Sequence, residues 1–115
     1  MTTRWEKGDE HLMLIVEGLN TNKSVFKSAL NIDLEANILL DLTRVEKVDI
    51  DSINYLNSFS KAHKDKKFSI IVASKSKLPG LTQAEVVPTV SESRDLIFME
   101  ITERELGDLF DEEED

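Results

Sequence analysis

From Asn37 to Leu56 the chain reads Asn-Ile-Leu-Leu-Asp-Leu-Thr-Arg-Val-Glu-Lys-Val-Asp-Ile-Asp-Ser-Ile-Asn-Tyr-Leu. Ile38–Leu42 is nearly continuously apolar, as a strand covered on both faces must be. It runs through a short acidic loop straight into a pattern of helical period. The helix is expected over about Ser52–Lys64. Ile53, Tyr55, Leu56, Phe59 and Ala62 face inward, and Asn54, Asn57, Ser58, Lys61 and Asp65 face outward. Buried strand, loop, amphipathic helix is the repeating step of an α/β sheet. The same step sets Asp49 and Asp51 at a helix N-terminus, where free backbone N–H groups and the positive dipole end favour anions or a docked partner.

The flanking sequence extends this step into a domain. Arg4–Glu6 and His11–Glu17 read as two strands joined by a turn at Gly8-Asp9. Asn22 or Thr21 can cap a short helix over Lys23–Leu30. Phe68–Ala73 is a second buried strand, Pro79-Gly80 marks a loop within Ser74–Thr82, and Glu85–Val87 is a short strand. Thr89 and Glu92 have capping-box spacing at the start of a last helix. That helix carries two apolar stripes, Val90, Ile97 and Ile101 on one side and Leu96, Met99 and Leu106 on another. One stripe packs on the sheet. The other is either a protein contact or is shielded by the segment around Trp5. The fold class is therefore α/β, a mixed, mainly parallel sheet with helices packed on it.

Length and charge narrow the function classes. With 115 residues the chain is one domain able to build a core without disulfides or metal, and it has no cysteine. The longest apolar run, Leu12–Val16, is far short of a membrane span, and the N-terminal residues carry no signal-peptide pattern. A cytoplasmic protein with no membrane partner is expected. Residues 107–115 hold six acids and no base out of a net −9, leaving −3 for residues 1–106. The domain is accordingly expected over 1–106, followed by a disordered acidic tail over 107–115. No basic patch interleaved with aromatics points to nucleic acid.

Catalytic chemistry finds no support. Asn54, Asn57 and Ser58 lack a paired base, there is no glycine-rich phosphate loop, and no cofactor or metal is expected. Asp41, Asp49 and Asp51 do not read as a metal or phospho-receiver cluster, because Asp41 lies within the strand and no acidic pair follows the other strands. His11 and His63 lack companions at ligand spacing and are expected at the surface or a strand edge. Asp49 is expected as the helix N-cap, accepting from the N–H of Asp51 or Ser52. Asp51 as a first-turn acid contributes about 0.3–1 kcal/mol through the helix dipole.

Several of these segments carry a resemblance. Leu40-Asp-Leu-Thr-Arg-Val45, Val48-Asp-Ile-Asp-Ser-Ile53 and Phe68-Ser-Ile-Ile-Val72 are similar, in order and spacing, to motifs of the STAS domain of bacterial anti-sigma factor antagonists. Val87-Pro-Thr-Val-Ser-Glu92 and Asp95-Leu-Ile-Phe-Met-Glu100 resemble a bacterial subgroup of it. The likeness spans roughly residues 10–106. It departs at the phosphosite. The family's Asp-Ser-Ser-Gly aligns with Asp49, Ile50, Asp51 and Ser52, so Asp51 stands where the phosphoacceptor serine would, with Ser52 as a displaced alternative hydroxyl.

The resemblance implies a non-enzymatic, protein-binding role in transcription regulation. The partner it implies is an anti-sigma factor or another regulatory protein, and with the Asp51 carboxylate in place of the serine the family's phosphorylation cycle cannot run at that position. Recognition is expected at Asp49, Asp51, Ser52, Asn54, Asn57, Ser58 and Lys61. Two alternatives stay open: a scaffold or assembly subunit without a switch, and a small-molecule or nucleotide binder. A homodimer is compatible with any of the three.

Overall fold

The computed structural model describes residues 1–31 and 33–113, with side chains described as far as Gly107. Five strands and three helices follow one another as β1 (Thr2–Lys7), β2 (His11–Asn20), α1 (Lys23–Ala29), β3 (Asn37–Lys47), α2 (Ile50–Asp65), β4 (Ile70–Ala73), β5 (Glu85–Val87) and α3 (Val90–Glu113). They form one sheet in the order β1-β2-β3-β4-β5. β1 pairs antiparallel with β2, and all other pairs are parallel. The α/β class and the mainly parallel sheet expected from the strand and helix periods are those observed. No helix among the described residues is long and apolar enough to cross a membrane.

Strand alternation splits the core in two. Leu14, Val16, Ile38, Leu40, Leu42, Ile70 and Val72 point to one face and meet Phe26 and Leu30 of the α1 segment and Ile53, Leu56 and Phe59 of α2. Met13, Ile15 and Leu39 point to the other face, with Val90 against them. There Ile97 and Ile101 of α3 are buried, so the first apolar stripe of α3 is the one on the sheet. The β4–β5 crossover also lies on the α1/α2 side, because Leu81 joins that core. Three successive crossovers on one face follow from a strand order that never reverses and connections of one hand.

Several boundaries moved for tertiary reasons. β2 and β3 each run beyond their apolar segments because they pair with one another, through Glu17 with Arg44, Gly18 with Val45 and Asn20 with Lys47. The register shifts after Ile15. At that irregularity the buried Asp41 carboxylate accepts from the Thr43 N–H at 2.9 Å and its hydroxyl at 2.6 Å. Arg44 then reaches Glu17 at 2.6 Å, a bond that raises the already high guanidinium pKa. α1 is capped by Asn22, which accepts from Val25 N–H at 3.1 Å. Thr89 Oγ1 accepts from Glu92 N–H at 3.1 Å, one half of the anticipated capping box.

The C-terminal helix differs from expectation. Its backbone passes through Gly107 and stays helical to Glu113, where an unstructured tail from 107 was expected. Glutamate and leucine are good helix formers, and one glycine costs only about 1 kcal/mol in a helix already nucleated on the sheet. Residues 114 and 115, and side chains from 108 onward, lie outside the described residues. Trp5 does not shield α3. It pairs with Leu14, whose side chain lies on the α1/α2 face, so Trp5 projects from the side of the sheet opposite α3.

His63 is buried, only 2% exposed, and not at the surface as its lack of companions suggested. Tyr55, Phe59 and His63 recur every four residues along α2. The rings stack at 6.4 Å and then 5.2 Å between centroids, and Phe68 closes the row at 5.4 Å from His63. Nε2 of His63 bonds the Ala36 carbonyl, which can only accept, so the proton sits on Nε2. Burial, and secondarily the charge of Lys66, lower the imidazole pKa below 6.5, while the Ala36 bond opposes the shift. The contribution to stability is therefore fully present above pH 6.5. As pH falls through that value the unfolded chain binds a proton that the folded one refuses, and stability drops by at most about 1.4 kcal/mol per pH unit. Urea titrations across this window are expected to show the slope in the wild type and a smaller one in His63→Gln.

Candidate functional site

The C-terminal rim of the sheet is where β3 hands over to α2. Asp49, in an extended conformation, ends the loop, and its carboxylate accepts from Ser52 N–H at 3.0 Å. This is the expected N-cap. It leaves Asp51 exposed on the first helical turn, where the dipole supports its negative charge.

Ser52 points the other way. It is wholly buried, and its Oγ accepts from the Thr21 hydroxyl at 3.1 Å. Thr21 N–H in turn donates to the Lys47 carbonyl at 3.0 Å. Ser52 is thus a bolt between the end of β2, the end of β3 and the start of α2. Its hydroxyl is therefore withdrawn from the protein surface, where the displaced alternative to position 51 was expected.

Asn57 also serves the fold. Its Nδ2 donates to the Gly80 carbonyl at 2.7 Å, and its Oδ1 accepts from the Thr82 and Gln83 N–H groups at 2.9 and 3.0 Å. The segment it holds is a tight turn: Leu81 N–H donates to the Leu78 carbonyl at 3.1 Å, and Gly80 has φ +91°. Proline at the second turn position and a positive-φ glycine at the third are the requirements of a type II turn. Sequence spacing alone put Asn57 on the outward side of α2 but could not show that a loop lies across it.

The remaining candidates do converge. Asp51, Asn54, Ser58 and Lys61 are all exposed, and their spacing of three, four and three residues aligns them in one polar stripe along α2. Two exposed apolar residues at the same rim escaped the sequence reading: Ile50 at the first position of α2 and Leu19 near the end of β2, each 66% exposed. Helical spacing would have placed Ile50, three residues before Ile53, on the inward face, but at the first position of α2 it stays in solvent. The rim thus offers an apolar tip beside two carboxylates, continued by a polar helix face.

Among the described residues no group of three His, Cys, Asp or Glu side chains is placed to hold a metal ion. The second stripe of α3 leaves Met99 and Leu106 exposed, with Phe98 beside them at 65%. No protein-family model matches this chain, and no curated protein matches it in sequence.

Proposed function

We propose that this chain is a non-enzymatic, cytoplasmic protein-binding module, similar in role to an anti-sigma factor antagonist, that presents a fixed negative charge in place of a switchable serine. The observation that carries the reading is the pairing of an exposed Asp51 with a buried Ser52 on the first turn of α2. A carboxylate at that point is a permanent counterpart of a phosphorylated side chain, though with less charge. The small-molecule reading is disfavoured because the strand order never reverses, and the crevice where open α/β sheets hold ligands forms at such a reversal. The assembly-subunit reading draws on the exposed apolar residues of α3, Phe98, Met99 and Leu106.

A tagged chain would be used to recover its partner, and affinity would then be measured by calorimetry for Asp51→Ala, Lys61→Glu and Met99→Asp. Asp51→Ala leaves the Asp49 cap in place and is expected to weaken binding about tenfold, a loss of about 1.4 kcal/mol. Lys61→Glu is expected to change the affinity and its salt dependence. If both bind like wild type while Met99→Asp abolishes binding, the α2 rim is not the recognition surface and the assembly reading takes its place. Wild-type protein is expected to take no phosphate at Ser52 from a kinase and ATP, as judged by mass spectrometry.

A further inference from the structure

We infer that β1 is a self-complementary edge through which two copies of this chain join into one continuous sheet. All six residues of β1 are exposed, on both faces, and in the sheet the strand pairs with β2 on one side, leaving its other edge open. Gly8 N–H donates to the His11 carbonyl at 2.9 Å, which fixes the ladder phase. Counting back through the antiparallel register, Glu6 and Arg4 direct their backbone groups to β2, while Thr3, Trp5 and Lys7 direct theirs to the open edge.

A second copy can add there only in registers that match these outward groups. Pairing Thr3 with Trp5 of the second copy places Arg4 opposite Arg4. Pairing Trp5 with Lys7 places Glu6 opposite Glu6. Like charges directly opposite are destabilising. The register between them pairs Trp5 with Trp5 and Thr3 with Lys7, and sets Arg4 of each copy opposite Glu6 of the other.

Charge complementarity therefore selects one register. In it the Arg4 and Glu6 side chains, now 3.6 Å apart within one strand, occupy a closely spaced, non-hydrogen-bonded pair on the α3 side. The two indoles meet on the opposite side as a cross-strand aromatic pair. Because each edge is used once, about a two-fold axis, the assembly closes at a dimer instead of growing into a fibre. The other sheet edge, β5, has only three residues and offers much less ladder.

Sedimentation equilibrium on the full chain over a wide concentration series tests this directly. A reversible monomer–dimer equilibrium is expected, with a concentration-dependent blue shift of Trp5, the only tryptophan. Arg4→Glu is expected to weaken association at least tenfold, and so is Glu6→Arg. The double exchange, Arg4→Glu with Glu6→Arg, restores opposite charges across the axis and is expected to recover the dimer. Circular dichroism melting establishes that each variant is folded. A chain that stays monomeric throughout overturns the inference. So does a dimer indifferent to Arg4→Glu, or a folded double exchange that fails to reassociate.

Discussion

Phe59→Ala is expected to destabilise the protein by about 3–5 kcal/mol, the usual cost of removing a buried phenyl ring. Phe59 is 4% exposed and lies in the core formed by Leu14, Ile38, Leu40, Leu56 and Ile70. It also stands between Tyr55 and His63 in the ring row of α2. The loss would be a large part of the 5–15 kcal/mol that holds a typical domain. Chemical denaturation should show a lower midpoint with little change in slope. A second effect follows at His63. With the neighbouring ring gone, its imidazole is less desolvated, its pKa rises toward 6.5, and the pH dependence of stability flattens. Phe98→Ala is the matched control. That ring is 65% exposed on α3, and its removal is expected to change stability by less than about 0.5 kcal/mol. Equal losses at the two positions would refute the core assignment.

Asn57→Ala is expected to cost about 1–3 kcal/mol, because three backbone groups of one loop lose their partner together. The damage should be local. Residues 80–83 and the short β5 strand that follows should lose hydrogen-exchange protection before β2, β3 and β4 do. Asn57→Asp separates the bonds: a carboxylate keeps the two acceptor interactions with Thr82 and Gln83 but repels the Gly80 carbonyl. An intermediate loss is therefore expected. Uniform destabilisation in both variants, with β5 no more labile than β3, would contradict this role. The consequence for binding studies is direct. Asn57 cannot serve as a neutral reporter of a partner surface, since a variant there loosens the loop beside it, whereas Asn54, Ser58 and Lys61 can.

The strand–loop–helix step from Asn37 to Leu56 was legible because its signals are local. An apolar run, a capping aspartate and a helical period each lie within a few residues of what they determine. Asn22, Asp49 and Thr89 cap their helices as residue type and spacing indicated, and Glu85–Val87 has the bounds its apolar residues suggested. The same local logic predicted the α3 stripe of Ile97 and Ile101, which the sheet buries.

What the sequence left open depended on partners distant along the chain. Ser52 and Asp51 are adjacent acceptor-bearing residues on one helical turn. In the fold Ser52 is buried with its hydroxyl against Thr21, thirty-one positions away, while Asp51 stays in solvent. Asn57 reads as a surface amide until the 80–83 loop, some twenty-five residues on, is laid across it. His63 reads as a lone polar residue until the Ala36 carbonyl and the Phe68 ring close over it. β3 continues past its apolar segment because β2 supplies a ladder, and a backbone ladder leaves little mark on side-chain composition. Periodicity and capping chemistry thus determined which segments are strands and helices and which face each turns inward. The tertiary structure alone decided which polar groups at the rim are spent on holding elements together and which stay in solvent. That division is set by hydrogen bonds between residues far apart in the chain, and buried polar groups must find such partners before any can be left to solvent.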